Sequence, residues 1–275
     1  MNISAAQKSI RPQDRDIALI RMLAEKFRIL NREQIGELFP MGSIRRLNFR
    51  LKKLCDSGYL SIRTLAQMGN ATKHGYYLGP RAAELFVNPT ERKIVNSVRA
   101  QVPQLAESGL AHRMLVDSIH IRFMTAGREY PEYKLLTWID QYSPWWQDLE
   151  RYGVPVRADG YGEYLVLLHF DSLFTFFLEV DRGTERGETL QDKIDRYMQY
   201  AESGAYEEHF AAKPFRVLFI TTTDRRMEGM LRMMKHSRPD IFWVTTRKRF
   251  TASKLLDAYW RRPNRSETYS LLFHE

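Results

Sequence analysis

Residues 176 to 185 read FFLEVDRGTE: an apolar strand that closes on two carboxylates, Glu179 and Asp181. Alternate residues of a strand point to one side, so both carboxylates leave the same face. Two acids at the end of an apolar strand are costly unless each is partnered or used. Asp159 stands 20 residues before Glu179, ahead of a hairpin-like stretch, and Lys193 follows one predicted helical segment later. Three carboxylates and an amine, a set suited to divalent-metal or phosphodiester chemistry, are thereby predicted to meet at one sheet edge.

Working outward, the pattern predicts a strand at 134–139, a loop carrying Trp145 and Trp146, a strand at 164–170, a turn at Asp171 and Ser172, and a strand at 173–181. A helix at 189–203, a strand at 215–221, a helix at 225–236, a strand at 241–246 and a helix at 251–260 follow. A hairpin passing into βαβ units predicts an α/β sandwich on a mixed sheet, with the apolar runs 165–168, 173–178 and 217–220 as its buried strands. His169, in the strand expected at 164–170, reads as a packing residue, and the run Thr221 to Asp224 reads as a cap for the next helix.

The first part of the chain has a different character. Ile17, Ile20, Leu23, Ala24 and Phe27 follow helical spacing, Asn31 and Gln34 form a capping box for a second helix, and Ser43 caps a third. In that third helix Ile44, Leu47, Leu51 and Leu54 make an apolar stripe, leaving Arg45, Arg46, Asn48, Phe49, Lys52 and Lys53 largely off it. A β-prone stretch from Tyr59 to Leu65, turn residues from Gln67 to Gly75 and a return strand from Tyr76 to Leu78 complete the order. Residues 87–108 read as a partly helical linker and 109–127 as a longer helix, whose His112, Asp117 and His120 are ambiguous.

Charge divides the same way. The net charge is +9 over 275 residues, and residues 1–80 hold 14 Lys and Arg against 6 Asp and Glu, leaving 28 against 27 for the rest. A compact basic unit beside a nearly neutral one points to an anionic polymer as partner, with a lipid surface the weaker alternative because no amphipathic lipid-facing helix accompanies the charge. An apolar content of 44% is that of a globular chain. The single cysteine, Cys55, excludes an intramolecular disulfide and a multi-cysteine zinc site. With no apolar run of membrane-spanning length and no signal-peptide core, the expected location is the cytoplasm.

Three helices followed by Gly58-Tyr59-Leu60 and Gly75-Tyr76-Tyr77-Leu78 resemble a winged helix-turn-helix DNA-binding domain. The resemblance implies that the third helix enters the major groove through Arg45, Arg46, Asn48, Lys52 and Lys53, while Lys73 and His74 on the wing touch the backbone or the minor groove. Solvation of a charged face, or protein binding, is the plainer alternative. The second part resembles the PD-(D/E)xK restriction-endonuclease-like fold. That likeness implies Asp159 and Glu179 as Mg²⁺ ligands, with Asp181 a third carboxylate within reach of the same ion, and Lys193 as the catalytic amine displaced onto the following helix. Two positions depart from the pattern: Ala158 stands for the Pro and Asp181 for the Lys. The alternative is that Glu179, Asp181 and Glu185 simply pair with Arg182, Arg186 or Lys193.

Taken together, the winged-helix order, Arg157-Ala158-Asp159-Gly160, the stretch from Phe177 to Glu185 and the Lys193…Tyr197 pair are similar to the replication-relaxation family of plasmids and mobile elements. The expected organisation is a DNA-binding domain at 1–86, a linker at 87–108 and a nuclease-like domain at 109–275. Double-stranded DNA is the expected partner, with a protein of a replication or mobilisation complex as a second. Two function classes follow. One is a mobile-element protein whose second domain is a scaffold or a Mg²⁺-dependent DNA-cleaving unit. The other is a transcriptional regulator or partner-docking protein with an inactive nuclease-like domain. Asp181 at the lysine position favours inactivity; Asp159, Glu179 and Lys193 favour the enzyme.

Overall fold

The computed structural model describes residues 10–65, 73–141, 143, 145–146, 157–167, 172–183, 187–209, 215–238 and 240–271. His169, Asp171, Glu185, Arg186 and most of the expected turn at 67–75 lie outside the described residues, as does the side chain of Lys73. The chain is mixed α and β, and it divides into two compact units, Met1–Ile121 and Arg122–Glu275.

In the first unit, α1 (Asp14–Met22) runs into a wider turn at Leu23–Phe27, where the Arg28 amide reaches back five residues to the Leu23 carbonyl at 3.0 Å. β1 (Ile29–Asn31) follows, a strand that the sequence pattern does not predict. Asn31 then caps α2 (Arg32–Leu38), with its side chain on the Gln34 amide and the Gln34 side chain on the Asn31 amide, each at 2.8 Å. Ser43 caps α3 (Ile44–Asp56) through the Arg46 amide. Gly58, at φ +77°, turns the chain out of α3 into β2 (Leu60–Leu65), a conformation that a side chain would strain. β2 and β1 both pair antiparallel with β3 (Lys73–Leu78), giving the sheet order β1-β3-β2.

α4 (Pro89–Gln101), capped by Asn88, occupies most of the expected linker, and α5 (Glu107–Ala126) carries the boundary between the units. The Gln34 side chain donates to the Met114 carbonyl at 2.8 Å, fastening α2 to α5. His120 is buried against the Phe27 ring at 5.1 Å, and burial, aided by Lys26 and Arg113, pushes its pKa well below the ordinary value. It is a packing residue.

In the second unit the sheet order is β4-β5-β6-β7-β8, formed by β4 (Tyr133–Asp140), β5 (Gly160–Val166), β6 (Ser172–Val180), β7 (Phe215–Thr221) and β8 (Phe242–Thr246). The first three pair antiparallel; β6, β7 and β8 run parallel. Parallel neighbours need crossovers, here α6 (Gly187–Glu202) with the short α7 (Ala205–His209), and then α8 (Asp224–Met233). One sheet face, through Tyr161, Phe177, Val217 and Phe219, packs on Leu190, Ile194 and Tyr197 of α6 and on Met227 and Met230 of α8. Burial of each such side chain is worth about 1.5–3 kcal/mol.

Two expectations need correction here. β5 starts at Gly160 and not at 164, because its register with β6 begins at the Gly160 and Leu178 pair. The last helix, α9 (Arg247–Ala252), lies earlier than 251–260, since Thr246 caps it and Ser253 is already extended. Leu255, Leu256, Tyr259 and Trp260 are buried nonetheless, in a strap whose Arg261 exchanges two 2.8 Å backbone hydrogen bonds with Val244 of β8.

Candidate functional site

The first candidate is the outer face of α3. Leu47, Leu51 and Leu54 are buried and hold the helix to its unit, while Arg45, Arg46, Asn48 and Lys52 are exposed one row away. Ile44 was expected in the apolar stripe but is 66% exposed, because it is the first helical residue and projects past the packed row. Phe49, 60% exposed, lies under the Lys53 ammonium at 4.4 Å from the ring centroid. Lys52 pairs with Asp56 at 2.7 Å, the i, i+4 partner on its own helix. Arg50 faces inward: its Nε donates to the buried Asp16 carboxylate at 3.0 Å. On the neighbouring hairpin His74 is exposed.

The second candidate is the end of β6. Asp159 immediately precedes β5, where its amide donates to the Leu178 carbonyl at 3.0 Å and its Oδ2 accepts from the Val180 amide at 2.8 Å. The Asp159 carboxylate therefore sits against the strand end that carries Glu179. Glu179 points to the face covered by α6 and is 2% exposed. Lys193 Nζ donates to its Oε2 at 2.8 Å and the Tyr197 hydroxyl to its Oε1 at 2.7 Å. Lys193 and Tyr197 are one helical turn apart, so a single face of α6 delivers both donors. Burial pushes the Glu179 carboxyl up to about 7; Asp159 adds to the rise, and Lys193 and Tyr197 oppose it. The same burial, with the charge of Glu179 facing it, holds the Tyr197 hydroxyl well above its ordinary value.

Asp181 stands in a different set of contacts. Its amide extends the pairing with β7 through the Ile220 carbonyl. Oδ2 accepts from the Thr221 hydroxyl at 2.6 Å and from Arg226 Nε at 3.0 Å, and Oδ1 accepts from the Gly183 amide at 2.8 Å. Burial alone would raise this carboxyl, but the guanidinium, the hydroxyl and the amide together hold it below its ordinary value. Gly183, at φ +78°, makes that tight return possible.

Asp159, Glu179 and Lys193 are thus brought together, and Asp181 is tied to Thr221 and Arg226 beside them. For Mg²⁺ the fit is poor. Both Glu179 oxygens already accept from Lys193 and Tyr197, Asp181 is neutralised by Arg226, and among the described residues no group of three or more His, Cys, Asp or Glu is placed to hold a metal. Tyr197 as a Glu179 donor was readable only as the i+4 neighbour of Lys193. Arg226 carried no local signal, because it arrives from the helix after the next strand.

The sequence model of a family described as Replication-relaxation matches residues 20–214, more than half of the chain. The match includes α3, Asp159, Glu179, Asp181 and Lys193 and ends before Thr221 and Arg226. No curated protein and no solved structure matches the chain. Among the described residues no helix is long and apolar enough to cross a membrane.

Proposed function

As the chain belongs to the replication-relaxation family, we propose that it binds double-stranded DNA in the replication or relaxation of a plasmid or other mobile element. In this reading the first unit is a winged helix whose α3 enters the major groove, and the second is a restriction-endonuclease-like scaffold. The observation that carries it is the exposed row Arg45, Arg46, Asn48 and Lys52 beside the buried stripe of the same helix. Arginines in that row meet phosphates or guanine edges, asparagine matches adenine, and an exposed Phe49 suits a thymine methyl. A protein of a replication or mobilisation complex is the second partner of this reading, docking on the scaffold.

A Mg²⁺-dependent cut is the second reading, favoured by the contact of Lys193 with Glu179 beside Asp159. The scaffold reading is preferred because the carboxylates already have protein partners, so a cation would have to displace an ammonium and a hydroxyl from a buried acid. A transcriptional regulator would share the α3 interface and differ only in its partners.

Duplex binding measured across a salt series tests the proposal. In Arg45→Ala/Arg46→Ala, each lost phosphate contact should flatten the slope of log affinity on log salt by about 0.9. A folded double mutant with the wild-type slope and affinity would remove α3 from the interface. Run beside it, supercoiled and linear DNA with Mg²⁺ or Mn²⁺ should stay uncut. Cleavage that disappears in Glu179→Gln would establish the second reading instead.

A further inference from the structure

The second unit has a cleft of about 320 Å³ between α6 and α8 that the Glu179 site does not use. Leu190, Met230 and Met233 supply its apolar wall and Arg225, Arg226 and Arg232 its polar one. The volume lies within the range of small-ligand pockets, roughly 300–1,000 Å³. Arg226 is held by Asp181. Arg225 and Arg232 are exposed, and among the described residues neither meets a carboxylate; Asp224 and Glu228, the acids of their own helix, are paired with Arg249 at 3.0 Å and Arg261 at 3.1 Å. Among the described residues, two guanidiniums without a carboxylate therefore flank a cleft whose accessible apolar part is Met233, since Leu190 and Met230 are each 1% exposed and form its buried floor.

Gly229 shows that the cleft is open by construction. It lies in the interior of α8, where glycine is a poor helix former, yet a Cβ placed there would meet only Arg232 Nη2, at 3.9 Å. Packing does not demand a glycine; a larger side chain would enter the cleft. The position is equally informative. Leu190 is three residues before Lys193 on α6, which makes the two neighbours on one helix face, and Arg226 joins the cleft to Asp181, two residues beyond Glu179.

Guanidiniums grip phosphate oxygens as a fork and stack on flat rings, and methionine and leucine side chains accept the face of a base. We infer that this cleft binds one phosphorylated nucleotide of a DNA strand, with the phosphate at Arg225 and Arg232 and the base against Met233 and the open backbone at Gly229. The inference rests on the DNA reading above and adds to it a strand-holding subsite beside the Glu179 centre.

The test measures binding of a fluorescent single-stranded oligonucleotide to the full chain, with deoxynucleoside monophosphate as competitor. Gly229→Leu, which fills the cleft and keeps every arginine, should weaken the oligonucleotide at least tenfold, as should Arg225→Ala/Arg232→Ala. The second variant carries the test if the first does not fold. Competition by millimolar monophosphate in the wild type, lost in both variants, supports the site. Monophosphate binding without oligonucleotide binding would overturn the strand assignment, making the cleft a free-nucleotide site. Equal oligonucleotide affinity in the wild type and both variants would overturn the inference alone. Failure of the DNA reading is seen separately, as a wild type that binds no duplex.

Discussion

On the outer face of α3 the cations stand in water; at the end of β6 the charges stand in protein. Arg45 and Arg46 are exposed, whereas Glu179 and Asp181 are buried, each facing a cation and a hydroxyl. A solvated charge costs the fold little and remains available to a polyanion. A buried charge is viable only because its partners replace the lost water, so much of its electrostatic capacity goes to holding the fold. α3 contains both kinds within two turns, since Arg50 is committed to the buried Asp16 while Arg45 and Arg46 are not.

The largest effect expected from this contrast is on stability. Arg226→Met and Arg50→Met each leave a buried carboxylate without its cation, a loss of about 3–5 kcal/mol. Arg45→Ala, the same residue type on the open face, should stay within about 0.5 kcal/mol of the wild type. Urea denaturation of the three variants checks both limbs. If Arg226→Met unfolds at the wild-type midpoint, the β6 end is not committed to structure, and Asp181 becomes available for chemistry.

A smaller effect should appear as a pH dependence. The folded Glu179 carboxyl is raised from 4.5 to about 7, so between those values the folded chain holds a proton that the unfolded chain has released. The stability tied to that proton is complete below about pH 4.5 and is lost as the pH rises through 7. At about 1.4 kcal/mol per pKa unit, the loss is bounded by about 3–4 kcal/mol. The difference in unfolding free energy between wild type and Glu179→Gln, followed from pH 4.5 to 7.5, should therefore move in favour of the variant as the pH rises. A flat difference would mean that Lys193 and Tyr197 offset burial completely.

The same contrast explains what was legible in the sequence. Local signals resolved well: the Asn31 and Gln34 box, the Ser43 cap and the buried row of α3 depend on neighbours within one turn. The strand carrying Glu179, and the arrival of Lys193 from the following helix, were legible because both depend on local periodicity around one crossover. β1 was not, since Ile29, Leu30 and Asn31 are a strand only through pairing with Tyr77, Tyr76 and Gly75. The start of β5 was hidden by Gly160 and Gly162, weak strand formers. At Gly162 a Cβ would lie 2.3 Å from the Phe176 ring, a long-range packing demand that no local pattern reveals. The helix expected at 251–260 did not form there because Leu255, Leu256, Tyr259 and Trp260 are buried in a strap bound to β8 and not along one helix face. Arg226 on Asp181 is the site's least legible contact, being joined across 45 residues.

The smallest expected effect lies within α3 itself and sharpens the comparison most finely. Lys52 is exposed like Arg45, but its ammonium already has Asp56 at 2.7 Å on the same helix. An exposed i, i+4 pair is worth about 0.3–0.5 kcal/mol, so Lys52→Ala should barely move stability. For DNA the pairing matters differently. A phosphate that recruits Lys52 must share it with, or take it from, an acid, and Asp56 also repels the approaching backbone. Lys52→Ala should therefore weaken duplex binding and flatten the salt slope less than Arg45→Ala, by clearly under the 0.9 expected of a full phosphate contact. Asp56→Asn should do the reverse, tightening duplex binding a few-fold and steepening the slope while leaving the fold unchanged. If Asp56→Asn leaves affinity and slope at their wild-type values, the C-terminal half of α3 lies outside the DNA footprint, and the interface contracts to Arg45, Arg46, Asn48 and Phe49.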